Sequence, residues 1–273
     1  MTEIQKIGIF DSGVGGLTVL KSLVQEIGFE RIIYYGDTAR LPYGNKDKET
    51  IVRFSLEALE FFAHFDIDML VVACNTASAH AIKAMRECSS IPIIGVIESG
   101  VQALCNRSIS FDSQVLVLAT EATIKSQSYD NTLRKIGYNN IINIPTNLFV
   151  SLVEENIFSG EILEATFRHY FGTLIESRVL KPEAVILGCT HFPLLLDSLR
   201  SFFGGETTFI HSGDAIASFL RENYLGLDCV LKGAGNLDSK KPNHIEFFAS
   251  DNVNKLKNTA KIWLKDVKYT MKG

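Results

Sequence analysis

The chain lacks most of the features that would assign it to a specialised class. Its 273 residues include five cysteines, an odd number with no C-x-x-C pair, so neither a disulfide framework nor a zinc ribbon is written into it. Cys189-Thr190-His191 offers two metal ligands, but no second spaced pair completes a set, so no metal is expected. There is no run of about 18 uncharged apolar residues, and the opening MTEIQKIGIF has no basic segment leading into an apolar core. A membrane span and a secretory leader are therefore not expected, and a cytoplasmic location is. Nor is there an excess of positive charge: 27 Lys and Arg stand against 31 Asp and Glu, a formal net charge of −4. That field does not attract nucleic acid or anionic lipid. Only the C-terminal stretch is basic. There Lys255, Lys257, Lys261, Lys265 and Lys268 interleave with Val253, Leu256, Ala260, Trp263 and Val267, the pattern of an amphipathic helix with a solvated face. No Pro/Gly/Ser-rich linker divides the chain, and the only long polar, turn-rich stretch, 233–243, reads as a surface loop.

What is present is apolar periodicity, with 46% hydrophobic residues. Short apolar runs at 6–10, 31–37, 68–74, 92–97, 114–120, 140–145, 183–189, 208–212 and 244–250 alternate with helical patterns. In the helical segment 47–64, for example, Ile51, Phe54, Ala58, Phe61 and Phe65 share one face. Such alternation predicts an α/β fold with mainly parallel sheets flanked by helices. Nine strands exceed what one minimal sheet needs, so two similar domains are expected.

One internal echo points to chemistry. The run Asp68-Met-Leu-Val-Val-Ala-Cys74-Asn-Thr76 is a strand, a small residue, a cysteine and a polar turn into a helix, and Glu183-Ala-Val-Ile-Leu-Gly-Cys189-Thr190-His191 repeats it. Ligands of parallel sheets bind beyond the carboxyl ends of the strands, where helix N-termini favour negative charge. That setting is expected to lower both thiols towards neutrality. Cys88, Cys105 and Cys229 lack it and read as structural. Two thiols at matching strand ends suit a substrate held between them, one group taking a proton from one face of a carbon while the other gives one to the opposite face. A Cys-His hydrolase would leave the second cysteine idle. His191, two residues after Cys189, is a plausible proton partner.

The first predicted strand leads into Phe10-Asp-Ser-Gly-Val-Gly-Gly-Leu17. This turn has no Gly-Lys-Ser/Thr ending, Thr18 stands where a dinucleotide fingerprint needs a third small residue, and Asp11 would repel pyrophosphate. The better reading is that Gly13, Gly15 and Gly16 let the backbone approach a small ligand while Asp11 handles a proton or an ammonium. An aspartate that merely caps a turn remains the alternative. The polar turns 36–44 and 120–123, and Glu154, fit the same picture, each also readable as a plain turn or cap.

The segments Gly8-Ile-Phe-Asp-Ser-Gly-Val-Gly-Gly16, Tyr35-Gly-Asp-Thr-Ala-Arg40, Val72-Ala-Cys-Asn-Thr-Ala77 and Gly188-Cys-Thr-His-Phe-Pro193 together resemble the glutamate racemases of the aspartate/glutamate racemase superfamily, along nearly the whole chain. The resemblance implies that Cys74 and Cys189 are the two proton donor/acceptors, Cys74 for D-glutamate and Cys189 for L-glutamate. Asp11 and His191 would assist, one near each thiol, with Glu154 a further catalytic candidate. Substrate contacts would come from Asp11, Ser12, Tyr43, Gly44, Asn75, Thr76, Thr120, Thr123, Thr190 and His191. It further implies two α/β domains, 1–97 with 211–273 and 98–210, with the active site in the cleft between them. No cofactor and no metal, a homodimer and a role in supplying D-glutamate to peptidoglycan also follow from it. Ser99 and Ser151 stand where the family usually has proline, which touches the interdomain crossover and the loop near Glu154. The rivals are a superfamily member acting on aspartate or a hydantoin, a one-thiol decarboxylase, and a binding module that exchanges no α-hydrogen; the last two do not need both cysteines.

Overall fold

The computed structural model describes residues 4–224, 243–267 and 269–272. Of the expected loop at 233–243, residues 233–242 lie outside the described residues, as does Cys229, and Asn243 already begins a strand.

The apolar runs form strands and the amphipathic runs helices, in strict alternation over most of the chain. In order they are β1 (Lys6–Asp11), α1 (Leu17–Glu26), β2 (Arg31–Gly36), α2 (Lys48–Phe62), β3 (Met69–Val72), α3 (Asn75–Glu87), β4 (Ile93–Gly95) and α4 (Val96–Asn106). Next come β5 (Val115–Ala119), α5 (Glu121–Lys125), α6 (Ser128–Lys135), β6 (Ile141–Pro145), α7 (Asn147–Glu154), α8 (Glu161–Glu176), β7 (Ala184–Gly188), α9 (Leu196–Phe203) and β8 (Thr208–His211). The described chain closes with α10 (Ser212–Asn223), β9 (Asn243–Ala249), α11 (Val253–Trp263) and β10 (Tyr269–Lys272).

Among the described residues these strands make two parallel sheets, β10-β9-β2-β1-β3-β4 and β6-β5-β7-β8. Their centres are buried on both faces: every residue of β3, β5 and β7 is buried, as expected of strands covered by helices on either side. The order of the strands carries the functional information. From β1 the chain runs outward to β2 on one side and later returns to place β3 on the other. From β5 it runs to β6 on one side and returns to place β7 on the other. Each sheet thus has one topological switch point, between β1 and β3 and between β5 and β7, and a crevice opens there at the strands' carboxyl ends. Cys74 follows β3 and Cys189 follows β7, so the echo in sequence is an equivalence in topology.

α10 ties the halves together. It begins where β8 ends in the smaller sheet and packs against α1 and α4. His211 caps its start, with Nδ1 accepting from Gly213 N at 2.8 Å and Asp214 N at 3.1 Å. Ser99 lies within α4, where its hydroxyl donates back to the Val96 carbonyl at 3.2 Å, and Ser151 lies within α7.

Some boundaries differ from expectation. The strand expected at 92–97 stops at Gly95, because Val96 already begins α4. The C-terminal helix ends at Trp263 and not near Val267; the chain then forms β10, a short parallel edge strand on β9. The helix expected at 47–64 is Lys48–Phe62, with the Asp47 carboxylate accepting from Thr50 N at 2.7 Å as its cap.

Gly8, in the middle of β1, leaves room for α2. A Cβ there would lie 2.8 Å from the Phe62 ring and 2.9 Å from Ile67 Cδ1. Gly8→Ala is therefore expected to cost about 1–3 kcal/mol by overpacking. Urea titration should show the midpoint falling with the slope unchanged.

Candidate active site

β1 ends at Asp11 and the chain turns through Ser12-Gly-Val-Gly-Gly16 into α1. Tyr34 Oη donates to the Gly13 carbonyl at 3.0 Å and pins the turn to β2. A Cβ on Gly15 would lie 2.3 Å from Thr190 Oγ1 and 2.6 Å from the His191 ring, and one on Gly16 would lie 2.6 Å from Asp11 Cβ. A Cβ on Gly13 would lie 3.2 Å from a Leu41 methyl. The glycines were expected to admit a ligand; Gly15 instead admits Thr190 and His191, bringing the turn after β1 against the turn after β7, and Gly16 admits Asp11. Thr18 Oγ1 fastens the contact by donating to the Thr190 carbonyl at 2.7 Å.

Across this contact the two cysteines meet one small cavity of about 30 Å³, lined also by Ser12, Tyr43, Gly44, Asn75, Thr76, Thr120, Glu154, Thr190 and His191. Gly13, Leu41, Pro42 and Val150 complete its wall. Asp11 and Thr123 stand directly behind these residues. Every residue expected to touch substrate or move protons is thus either on the cavity or bonded to a residue that is.

The surroundings of the thiols are unlike each other. Cys74 is the N-cap of α3: its sulfur accepts from Ala77 N at 3.5 Å while its thiol donates to Ser12 Oγ at 3.4 Å. Burial, and after it the charge of Asp11, push this thiol up to about 12. The expectation that a helix N-terminus lowers it is overturned, because desolvating a thiolate costs more than the helix end returns. Cys189 does not open an α-helix directly; a short 3-10 turn, Phe192–Leu195, intervenes before α9. Its sulfur lies 3.7 Å from His191 Nδ1, and His191 Nε2 lies 3.2 Å from Glu154 Oε1. Burial by itself would lower His191, but the hydrogen bonds with Cys189 and Glu154, and the charges of Cys189 and Asp11, raise it to about 10. The ring is therefore an imidazolium donating from both nitrogens. Its hydrogen bond in turn holds Glu154 below the ordinary carboxylate range, against burial.

Asp11 is fully buried, and burial raises its pKa against the pull of His191 and the hydrogen bonds that it accepts. Gly13 N donates to Oδ2 at 2.9 Å, and Thr190 Oγ1 stands 3.5 Å from Oδ1. Asp11 acts electrostatically on both Cys74 and His191.

Facing these groups, Thr76, Thr120 and Thr123 form a triangle of hydroxyls with edges of 2.9, 3.0 and 2.9 Å. Three hydroxyls at the start of α3 and α5 suit a carboxylate. Gly44 approaches so closely that a Cβ would lie 2.6 Å from Thr120. Tyr43 and Gly44 are held there by a residue that the sequence reading passed over. Asp37, fully buried, accepts from Tyr43 Oη at 2.5 Å, Arg40 Nε at 2.7 Å and Ser250 Oγ at 2.7 Å, and Arg40 also pairs with Glu57 of α2. The signal was its place in the 36–44 turn directly after a strand, the position that singled out Asp11 after β1. Among the described residues, no three His, Cys, Asp and Glu side chains gather in a way that would hold a metal ion. No described helix is long and apolar enough to cross a membrane.

The profile of the Asp/Glu/Hydantoin racemase family matches residues 7–220. A protein of a Nitratiruptor species named glutamate racemase is 52% identical over 261 residues, 96% of this chain and 97% of that one. The crystal structure of glutamate racemase from Campylobacter jejuni subsp. jejuni superposes with a TM-score of 0.87 at 50% identity, covering 96% of this chain and 98% of that one. Glutamate racemase from Francisella tularensis subsp. tularensis, solved in complex with D-glutamate, superposes with a TM-score of 0.80 at 31% identity, covering 98% and 95%.

The Glu154–His191 pair has a pH signature. His191 holds its proton more tightly folded, at about 10, than at its ordinary 6.5, so its contribution to stability is complete below about 6.5 and lost as pH rises through about 10. Glu154, held below its ordinary 4.5, contributes above that value and loses its contribution as pH falls through its lowered folded pKa. Glu154→Gln is thus expected to cost most between about 4.5 and 6.5, on the order of 1–3 kcal/mol, and progressively less towards pH 10. Denaturant unfolding across that range measures it, and a cost independent of pH contradicts the ion pair.

Proposed function

The chain belongs to the Asp/Glu/hydantoin racemase family and is an amino-acid racemase, and from that premise we propose that it interconverts L- and D-glutamate without a cofactor, by proton transfer between two cysteines. The observation that carries the reading is the pair of sulfurs at equivalent strand ends of two sheets, on one small cavity. The glutamate specificity rests on the relatives that bear that name and on the structure solved with D-glutamate. The threonine triangle supplies a seat for one carboxylate.

Starting from L-glutamate, the Cys189 thiolate removes the α-proton and becomes a thiol. The electron pair stays on the α-carbon. The Cys74 thiol then delivers its proton to the opposite face, giving D-glutamate and a Cys74 thiolate. The reverse reaction exchanges the roles. The His191 imidazolium, held by Glu154, is a counter-ion for negative sulfur at Cys189. Cys74, pushed up to about 12, is a strong base once it has given up its proton, which narrows the gap to the weakly acidic α-carbon. A cavity of about 30 Å³ has room for about one water, so the walls separate to admit an amino acid and close again to exclude solvent from the exchange.

The same reading divides the chain into 1–97 with 211–273 and 98–210. It places the enzyme in the cytoplasm, as a homodimer that supplies D-glutamate for peptidoglycan.

Incubating the purified protein with either enantiomer in heavy water should build α-deuterium into glutamate as optical rotation decays, with aspartate exchanged far more slowly. Cys74→Ser and Cys189→Ser should each lower racemisation by about 10²–10⁴-fold. A wild type that exchanges no α-hydrogen, or a serine variant that racemises normally, contradicts the two-thiol reaction. The pH profile should lose activity on its alkaline limb near 10, as His191 deprotonates.

A further inference from the structure

Asn75 opens α3 next to Cys74, lines the cavity and is buried. Its Nδ2 donates twice, to Tyr129 Oη of α6 at 2.8 Å and to Ser212 Oγ at the start of α10 at 3.2 Å. Its Oδ1 is buried and has no donor from the protein. The direction of this amide is set by its neighbours. Ser212 has one hydroxyl proton, and it goes to the Leu187 carbonyl of β7 at 3.1 Å, so Ser212 can only accept from Asn75. A flipped amide would set Oδ1 against the lone pairs of Ser212. The amide is therefore locked, with both N–H groups spent on protein and its oxygen left over.

A buried acceptor with no donor is costly to keep, so this oxygen calls for a donor from the ligand. The carboxylates of an ionised dicarboxylic amino acid have none. Its α-ammonium has three. We infer that Tyr129 and Ser212 are positioning residues that lock the Asn75 amide so that its oxygen receives the substrate's α-ammonium beside Cys74. They act through Asn75 and touch no reacting atom. The lock makes the site require an amino group, where a freely turning amide would also have offered its N–H groups to a carboxylate. The inference rests on the glutamate racemase reading.

Tyr129→Phe keeps the buried ring, which packs with Ile97, Val101 and Leu133, and removes only the hydroxyl. The expected result is a rise in KM of about tenfold for both glutamate enantiomers, the size of one lost hydrogen bond to a charged group. The inhibition constant of glutarate, which has the two carboxylates and no ammonium, should change less than about twofold, since it makes no such bond. Ser212→Ala removes the lock from its other side and is read in the same way, which keeps the test open should Tyr129→Phe fold poorly. Equal losses for glutamate and glutarate, or an unchanged KM, overturn the inference. A wild type that exchanges no glutamate α-hydrogen contradicts the racemase reading itself.

Discussion

The site depends on one contact, the packing of the glycine-rich turn after β1 on the turn after β7. Gly15 lies where any Cβ would collide with Thr190 and His191, and Thr18 closes the joint with a hydrogen bond to the Thr190 carbonyl. Because the two turns touch there, Asp11 acts on both Cys74 and His191, and the cavity between the sulfurs is small. Without that approach each sheet would keep its own strand-end cysteine facing water, and neither thiol could act on a carbon shared with the other.

Equivalent places in the two sheets carry unequal electrostatics. Cys74 caps a long helix, yet burial and the carboxylate of Asp11 keep its proton on. Cys189 precedes only a 3-10 turn but has a buried cation beside it, itself anchored by Glu154. A symmetric pair would hold two thiols or two repelling thiolates. The two sulfurs are thus unequal: a buried cation stands beside one, and burial with a nearby carboxylate raises the other. Asn75 adds direction, since its amide spans from the Cys74 turn to Tyr129 and Ser212.

Much of this was legible in the sequence because the informative residues lie at strand ends, where an apolar run stops and a polar turn begins. Cys74, Cys189, Asp11 and Thr120 each follow such a run. What escaped was fixed by contacts between distant segments. Asp37 becomes a clamp only when Ser250, more than two hundred residues later, arrives just past the end of β9 beside β2. Tyr129 and Ser212 sit in helices with no motif of their own. The turn glycines were recognised, but what they make room for is set by the tertiary fold. The expected lowering of the Cys74 thiol failed for a related reason: a helix start can be read from sequence, whereas the burial that outweighs it cannot. The end of α11 was misjudged because Val267 continues the helical spacing, while the chain breaks off to form an edge strand.

The central claim is geometric: two sulfurs approach one α-carbon from opposite faces. A crystal structure of this protein with D-glutamate bound tests it directly. The account predicts the sulfurs of Cys74 and Cys189 on opposite sides of the α-carbon, with a carboxylate on the threonine triangle. Both sulfurs on one face, or either one out of reach of that carbon, would contradict it.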